Sequence, residues 1–167
     1  MNRIDEIDAK ILELLQQRGR MKRNAISEVV GLSVPAVSER MRKLEEHGLI
    51  QQYTAVVDAK RLNYDITAFI RVDVEGSEHY PDFVAAVEPM GEVLEVHSVT
   101  GDGSHILKVR TYNTTTLEKL LARIQALRGV GSTSSSIVLS TFKETREVAT
   151  QPTELFDYEA AHAADTS

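Results

Sequence analysis

Two stretches of this chain carry side chains of a type and spacing that could do chemistry. The first is Ser33 to Lys43, SVPAVSERMRK, where Ser33, Pro35, Ala36, Ser38, Glu39, Arg40, Arg42 and Lys43 set small and hydroxyl residues beside guanidinium and ammonium groups. Arginine and lysine neutralise phosphate oxygens or bond guanine edges, and glutamate accepts from a cytosine amino group. Small residues let a helix come close to a groove. The second is Ser98 to Lys108, SVTGDGSHILK, where Thr100, Gly101, Asp102, Gly103 and Ser104 precede His105. Out of context it could cradle a phosphate, pair a serine nucleophile with a histidine base, or turn the chain between strands.

The elements that hold these residues decide among those chemistries. The chain has 167 residues, 42% of them hydrophobic, enough for two small domains or one medium one. Net charge is −6, which argues against a protein that coats nucleic acid. Residues 1–50 hold nine Lys/Arg and eight Asp/Glu, a net of +1, so the remainder is at −7 and an anionic partner is expected on the head. The absence of cysteine excludes disulfides and cysteine-ligated zinc and fits a reducing compartment. No apolar run reaches the length of a membrane span, and MNRIDEIDAK is too charged for a secretion signal. A soluble, cytoplasmic protein with no membrane partner is expected.

In the head, Ile4, Ile7, Ile11, Leu14 and Leu15 recur at helical spacing and predict a helix from Asp5 to about Arg18. A second helix is predicted over Arg23 to Val30, burying Ile26, Val29 and Val30 and ending at Gly31. Leu32 reads as a buried pin and Ser33 as the N-cap of a third helix that runs to about His47. Val34, Val37, Met41 and Leu44 form its expected buried stripe, with Pro35, Ala36, Glu39, Arg42 and Lys43 outward and Ser38 and Arg40 on the flanks. Helix, glycine-containing turn and helix make the helix-turn-helix pattern, whose second helix enters the major groove. Arg18, Arg20, Lys22 and Arg23 cluster before the second helix, where phosphate can also be met. The alternative is a three-helix unit with a solvated basic face.

Beyond the head, IQQYTAVVD (Ile50 to Asp58) reads as a strand, followed by a polar joint; residues 51–65 are expected to be a strand and hinge linker. Ile66, Ala68, Ile70, Val72 and Val74 then alternate with polar residues along a half-buried strand. Tyr80, Phe83, Val84 and Val87 mark a helix; Val93 to Thr100 and His105 to Tyr112 mark two more strands. Thr115 and Glu118 suggest a capping box for a further helix, and Ser135 to Phe142 a last strand. The order βαββαβ is ferredoxin-like and occupies residues 66–145, giving an α+β chain overall. Phe69, Leu107 and Val109 are expected on the open sheet face as a partner surface. Residues 146–167 lack periodicity and are expected to be a mobile tail, although Leu155, Phe156 and Tyr158 could dock on a neighbouring subunit.

Catalytic patterns are missing. There is no P-loop and no G-x-S-x-G elbow, and Gly101 and Gly103 stand between strands rather than before a helix. Ser104 and His105, as neighbours on an extended chain, are expected to point to opposite sides. The five histidines show no metal-ligand spacing. Neither an enzyme nor a cofactor is expected.

DEIDAKILELLQQRGR and ISEVVGLSVPAVSERMRKLEEHGLIQQYTAVVD resemble the N-terminal domain of the Lrp/AsnC (feast/famine) transcriptional regulators. GLS, the R-x-x-x-L-E run, G-[LI]-I and the Y-T strand stand in order; Ser27 replaces the usual alanine, and Pro35 stands one place later than usual. The resemblance implies binding to double-stranded DNA through Arg23, Ser33, Pro35, Ala36, Ser38, Glu39, Arg40, Arg42 and Lys43. It implies a ferredoxin-like effector domain whose sheets pair into dimers, often assembled into octamers. An amino-acid effector would lie between subunits, at a T-G-x-x-D hairpin facing hydroxyls of the last strand. The matching residues here are Thr100, Gly101, Asp102, Gly103 and Ser104, with Thr133, Ser134, Ser135 and Ser136. Ser104 stands where the family carries its aspartate, and Asp102 lies two places earlier.

Overall fold

The computed structural model describes residues 3–155, which form two compact units. One comprises the chain up to Val56 together with residues from Thr145 onward; the other runs from Val57 to Glu144.

The first unit opens with a two-residue strand, β1 (Arg3–Ile4), and continues into α1 (Glu6–Gln17). Asp5 caps α1 through a reciprocal box: Asp8 N donates to Asp5 Oδ1 at 2.8 Å, and Asp5 N donates to Asp8 Oδ2 at 3.2 Å. Next comes α2 (Arg23–Val30), and Gly31 at φ +70° ends it in the left-handed conformation that suits glycine. Ser33 caps α3 (Val34–Glu46), its Oγ accepting from Ala36 N at 3.4 Å. Ile11, Leu15, Ile26, Val37, Met41 and Leu44 are buried among the three helices. Two expected core residues are not: Val34 is 40% and Val29 52% exposed. Val34 begins its helix and lines the mouth of an open groove.

The expected mobile tail instead returns to this unit. β6 (Thr153–Glu154) pairs antiparallel with β1, Arg3 opposite Glu154 and Ile4 opposite Thr153. Leu155 packs on the head core, which is where its apolar side chain docks. The expectation for Phe156 and Tyr158 lies outside the described residues.

In the second unit a short 3-10 turn, Lys60–Leu62, precedes β2 (Ile66–Val74). The chain continues through α4 (Tyr80–Val87), β3 (Val93–Ser98), β4 (His105–Thr111), α5 (Thr114–Gln125) and β5 (Val130–Ile137). The sheet order is β3-β4-β2-β5, antiparallel throughout, so the expected βαββαβ domain forms. Ala68, Ile70, Val72 and Val74 of β2 bury one face against Phe83 and Val87 of α4 and Leu117, Leu120 and Ile124 of α5.

Four expectations are corrected. Residues 51–58 make no ladder; they are exposed throughout, and no strand among the described residues supplies their backbone partners. α5 is capped by Asn113 with Thr116, not by Thr115 and Glu118, because Asn113 is the residue in extended conformation where the helix starts. β5 begins five residues earlier than expected: its serines carry no apolar alternation, and pairing with β2 places it. Leu107 and Val109 are fully buried on the helix-covered face, since they pair with Ile70 and Ala68; of the three, Phe69 alone faces the open side, 38% exposed.

Candidate functional site

The DNA-facing candidates divide by what already holds them. Arg42 Nε and Nη2 grip Glu39 at 2.9 and 2.7 Å, its Nη1 reaches Glu46, and Lys43 lies 3.8 Å from Glu39. Hydrogen bonds donated to Glu39, then to Glu46, raise the Arg42 pKa above its ordinary value, and the Arg42 hydrogen bond lowers that of Glu39. Each of these groups is about half exposed, so bound phosphate competes with Glu39 and Glu46 in water, where such pairs are weak. Pro35 is exposed, while Ala36 and Ser38 are half-buried. Arg23 is exposed and, like Arg18, Arg20 and Lys22, makes no ion pair among the described residues.

Arg40, expected as a groove contact, is held by two carboxylates at the start of the first helix. Its Nη1 donates to Asp5 Oδ2 at 2.7 Å and to Asp8 Oδ1 at 2.8 Å. Burial alone would lower the Arg40 pKa, but hydrogen bonds to Asp8 and Asp5 outweigh it and raise it. Asp5 is correspondingly lowered: burial opposes the shift, and hydrogen bonds from Asp8 N and Arg40 overcome it. The guanidinium therefore ties α3 to the start of α1. Tyr53 was also not anticipated: its hydroxyl donates to Glu45 at 2.8 Å, and burial with that carboxylate pushes its pKa to about 12.

In the second unit, the stretch from Val99 to Ser104 closes β3 onto β4, with Val99 N donating to Ser104 O at 3.0 Å. Gly103 sits at φ +81°, and a Cβ there would stand 3.1 Å from Val72 O, so a hydrogen is what lets the hairpin lie on β2. Ser104 N donates to Val72 O at 3.0 Å, and Ser104 Oγ accepts from Val74 N at 2.9 Å.

Ser104 Oγ also lies 2.8 Å from His105 Nδ1, against the expectation that the two point apart. Ser104 precedes the strand, just after Gly103 in its positive-φ conformation, so strict alternation does not govern it. The pair is not catalytic. Ser104 is 8% and His105 2% exposed, and His105 packs between Tyr80 and Phe83 at ring distances of 4.8 and 4.9 Å. Burial lowers the His105 pKa, favouring the neutral ring. Ser104 thus locks the hairpin to β2, with its hydroxyl buried against Val74 and His105.

Thr100, Gly101 and Asp102 are exposed, and Asp102 O accepts from Arg71 Nη1 at 3.4 Å. On β5, Ser134 and Ser136 lie opposite Arg71 and Phe69 on the open face. Thr133 and Ser135 pair with Val72 and Ile70 on the helix side, and Thr133 Oγ1 accepts from Gln125 at 2.8 Å. Hairpin and hydroxyls therefore flank the same end of β2. Arg71, Asp73 and Ser132 share that open patch and carried no motif; only period-two alternation along β2 and β5 could have placed them.

A helix-turn-helix head joined to a helix-backed sheet with a glycine hairpin defines a DNA-binding regulator with a ligand-binding module. The profile of the winged helix-turn-helix DNA-binding domain matches residues 4–51, and that of the Lrp/AsnC ligand binding domain matches residues 67–148. The HTH-type transcriptional regulator FL11 of Pyrococcus horikoshii is 39% identical over 145 residues, 87% of this chain and 95% of its own. The leucine-responsive regulatory protein of Salmonella typhimurium is 33% identical over 148 residues, 87% of this chain and 90% of its own. A transcriptional regulator from Neisseria meningitidis, solved as a complex with L-Met, superposes with a TM-score of 0.83 at 31% identity, over 87% of this chain and 96% of that one. The chain belongs to the Lrp/AsnC family: it is a helix-turn-helix transcriptional regulator and not an enzyme. Among the described residues no helix is long and apolar enough to cross a membrane.

Proposed function

We propose that the protein binds operator DNA in the cytoplasm as a dimer or a larger assembly such as an octamer, and that an amino acid modulates this binding. α3 lies in the major groove with Pro35, Ala36, Ser38 and Glu39 towards the bases. Arg42 and Lys43 contact phosphate or guanine, and Ser33 and Arg23 approach the flanking backbone. The observation that carries the DNA contact is the exposed position of Arg42 and Lys43, whose Glu39 and Glu46 partners are solvated and displaceable. Arg40 is a positioning residue in this scheme.

The effector rests against the backbone of Thr100 to Gly103, with Asp102 available for its ammonium group and Arg71 for its carboxylate. Ser134 and Ser136 supply hydroxyls, whereas Thr133, Ser135 and Ser104 shape the site from beneath. A methionine complex of a feast or famine regulatory protein from M. tuberculosis, 33% identical over 87% of this chain, supports an amino acid as the ligand class. Coupling arises because the ligand favours one arrangement of the assembly over another.

Gel shifts on the DNA upstream of the protein's own gene, repeated with each amino acid, test this function. Binding that one or a few amino acids strengthen or weaken is the expected result. No binding at low salt overturns it. Binding that no amino acid alters, with no thermal shift, favours an effector-independent DNA-organising protein. The buried Ser104, in place of an accessible aspartate, is the observation on that side.

A further inference from the structure

We infer that the C-terminal strand positions the recognition helix, acting on Arg40 through the first residues of the chain. The segment Val148 to Leu155 runs along α1 in the opposite direction. The Gln16 amide brackets the backbone of Val148, donating to its carbonyl at 3.0 Å and accepting from its N–H at 2.8 Å. Thr150 Oγ1 donates to Ala9 O at 3.0 Å, and β6 then pairs with β1. The strap is thus fixed near both ends of α1. It ends at Ile4, which is 4% exposed and directly precedes Asp5.

Asp5 is where the strap meets the DNA-facing helix. It caps α1 and accepts from Arg40, which projects from the middle of α3 and is shared with Asp8. β6 is the one strand partner of β1 among the described residues. A strand of only two residues frays without its ladder partner. Once Ile4 and Asp5 fray, Arg40 keeps Asp8 alone and α3 loses one of its two anchors on α1. A guanidinium released from one of its two carboxylates also attracts phosphate of any sequence. Both effects reduce discrimination between sequences more than they reduce binding. The strap therefore sets specificity without touching DNA.

This inference rests on α3 being the DNA-facing helix, and the test separates the two. The full-length wild-type chain first enriches a duplex from a random-sequence pool. Affinities for that duplex and for a shuffled one are then measured for the wild type, for a Gln16→Ala/Thr150→Val chain, for Asp5→Asn, and for all three changes together. Native-state amide exchange in α1 and α3 confirms that each head stays folded; asparagine is itself a good N-cap, so Asp5→Asn removes the ion pair and keeps the cap. The expected result is a fall of about fivefold in the specific-to-shuffled ratio for the strap variant, a similar fall for Asp5→Asn, and little further fall when they are combined. An unchanged ratio in the strap variant, or falls that multiply fully in the combination, overturns the inference. A wild-type chain that enriches no duplex overturns the DNA-facing assignment of α3, and the inference with it.

Discussion

Replacing Arg40 with methionine measures how firmly the head holds its recognition helix. Arg40 Nη1 stands 2.7 Å from Asp5 and 2.8 Å from Asp8, with side-chain exposures of 30% for Arg40, 49% for Asp5 and 3% for Asp8. When the guanidinium is removed, Asp5 rehydrates, but Asp8 does not without opening the helix pair. Breaking a fully buried ion pair by removing one partner costs about 3–5 kcal/mol, and an exposed pair is worth about 0.2–1 kcal/mol. Asp8 falls between, because its Arg40 partner is 30% exposed and Asp5 N still donates to Asp8 at 3.2 Å. The expected loss is about 1.5–3 kcal/mol, or roughly a ten- to hundredfold rise in local opening. A melting curve mixes the two units, so the assay is native-state amide exchange in α1 and α3. Arg40→Met with Asp8→Leu should recover most of the loss, since two apolar groups leave no buried charge behind. Exchange in Arg40→Met within about 0.5 kcal/mol of the wild type, or losses that simply add in the double variant, would refute the claim that this ion pair holds α3.

Other perturbations give distinct readouts. Arg42→Ala with Lys43→Ala should weaken binding to every duplex and reduce the slope of log affinity against log salt by about 1.8; an unchanged affinity means that α3 does not dock as described. Gly103→Ala places a methyl 3.1 Å from Val72 O at φ +81°. It should cost the second unit about 1–3 kcal/mol, read by calorimetry, and an unshifted melt means that the hairpin does not need its close seat on β2. His105 folds neutral because burial lowers its pKa from 6.5. Its stabilising share is complete above that value and is lost as pH falls through the lowered folded pKa, at no more than about 1.4 kcal/mol per pH unit. Melting the wild type and His105→Leu between pH 7.5 and about 5 should show the loss in the wild type alone.

The helix-turn-helix was legible because its signals are local. Gly31 ends α2, Ser33 caps α3, and the row Val37, Met41, Leu44 lies within one helix. The βαββαβ order was legible from the alternation along β2 and the helical period of α5. Contacts made across the sequence were not. Arg40 looks like a groove contact on a helical wheel, and its carboxylate partners lie 35 and 32 residues away. β1 and β6 are two residues each, too short to show any period, and only pairing across the length of the chain reveals them. In the second unit the hairpin was readable as punctuation by glycine. Ser104 turning under β2 depends on a positive φ at Gly103 that composition does not report. β5 was misplaced because Ser132 to Ser136 carry no apolar pattern, and a strand without one is defined by its neighbour.

That polar strand separates two kinds of selection on the domain. β5 contributes only Val130, partly buried, to the core that β2, β4 and the two helices build. Exposed substitutions away from such a core usually shift stability by no more than about 0.5 kcal/mol. Serine, threonine or asparagine can therefore be exchanged at Ser132, Ser134 and Ser136 while the fold stays intact. β2 carries both kinds of residue, with Ala68, Ile70 and Val72 in the core and Phe69, Arg71 and Asp73 on the open face, whereas β5 gives the core almost nothing. The open face can therefore change along β5 without a compensating change in the interior.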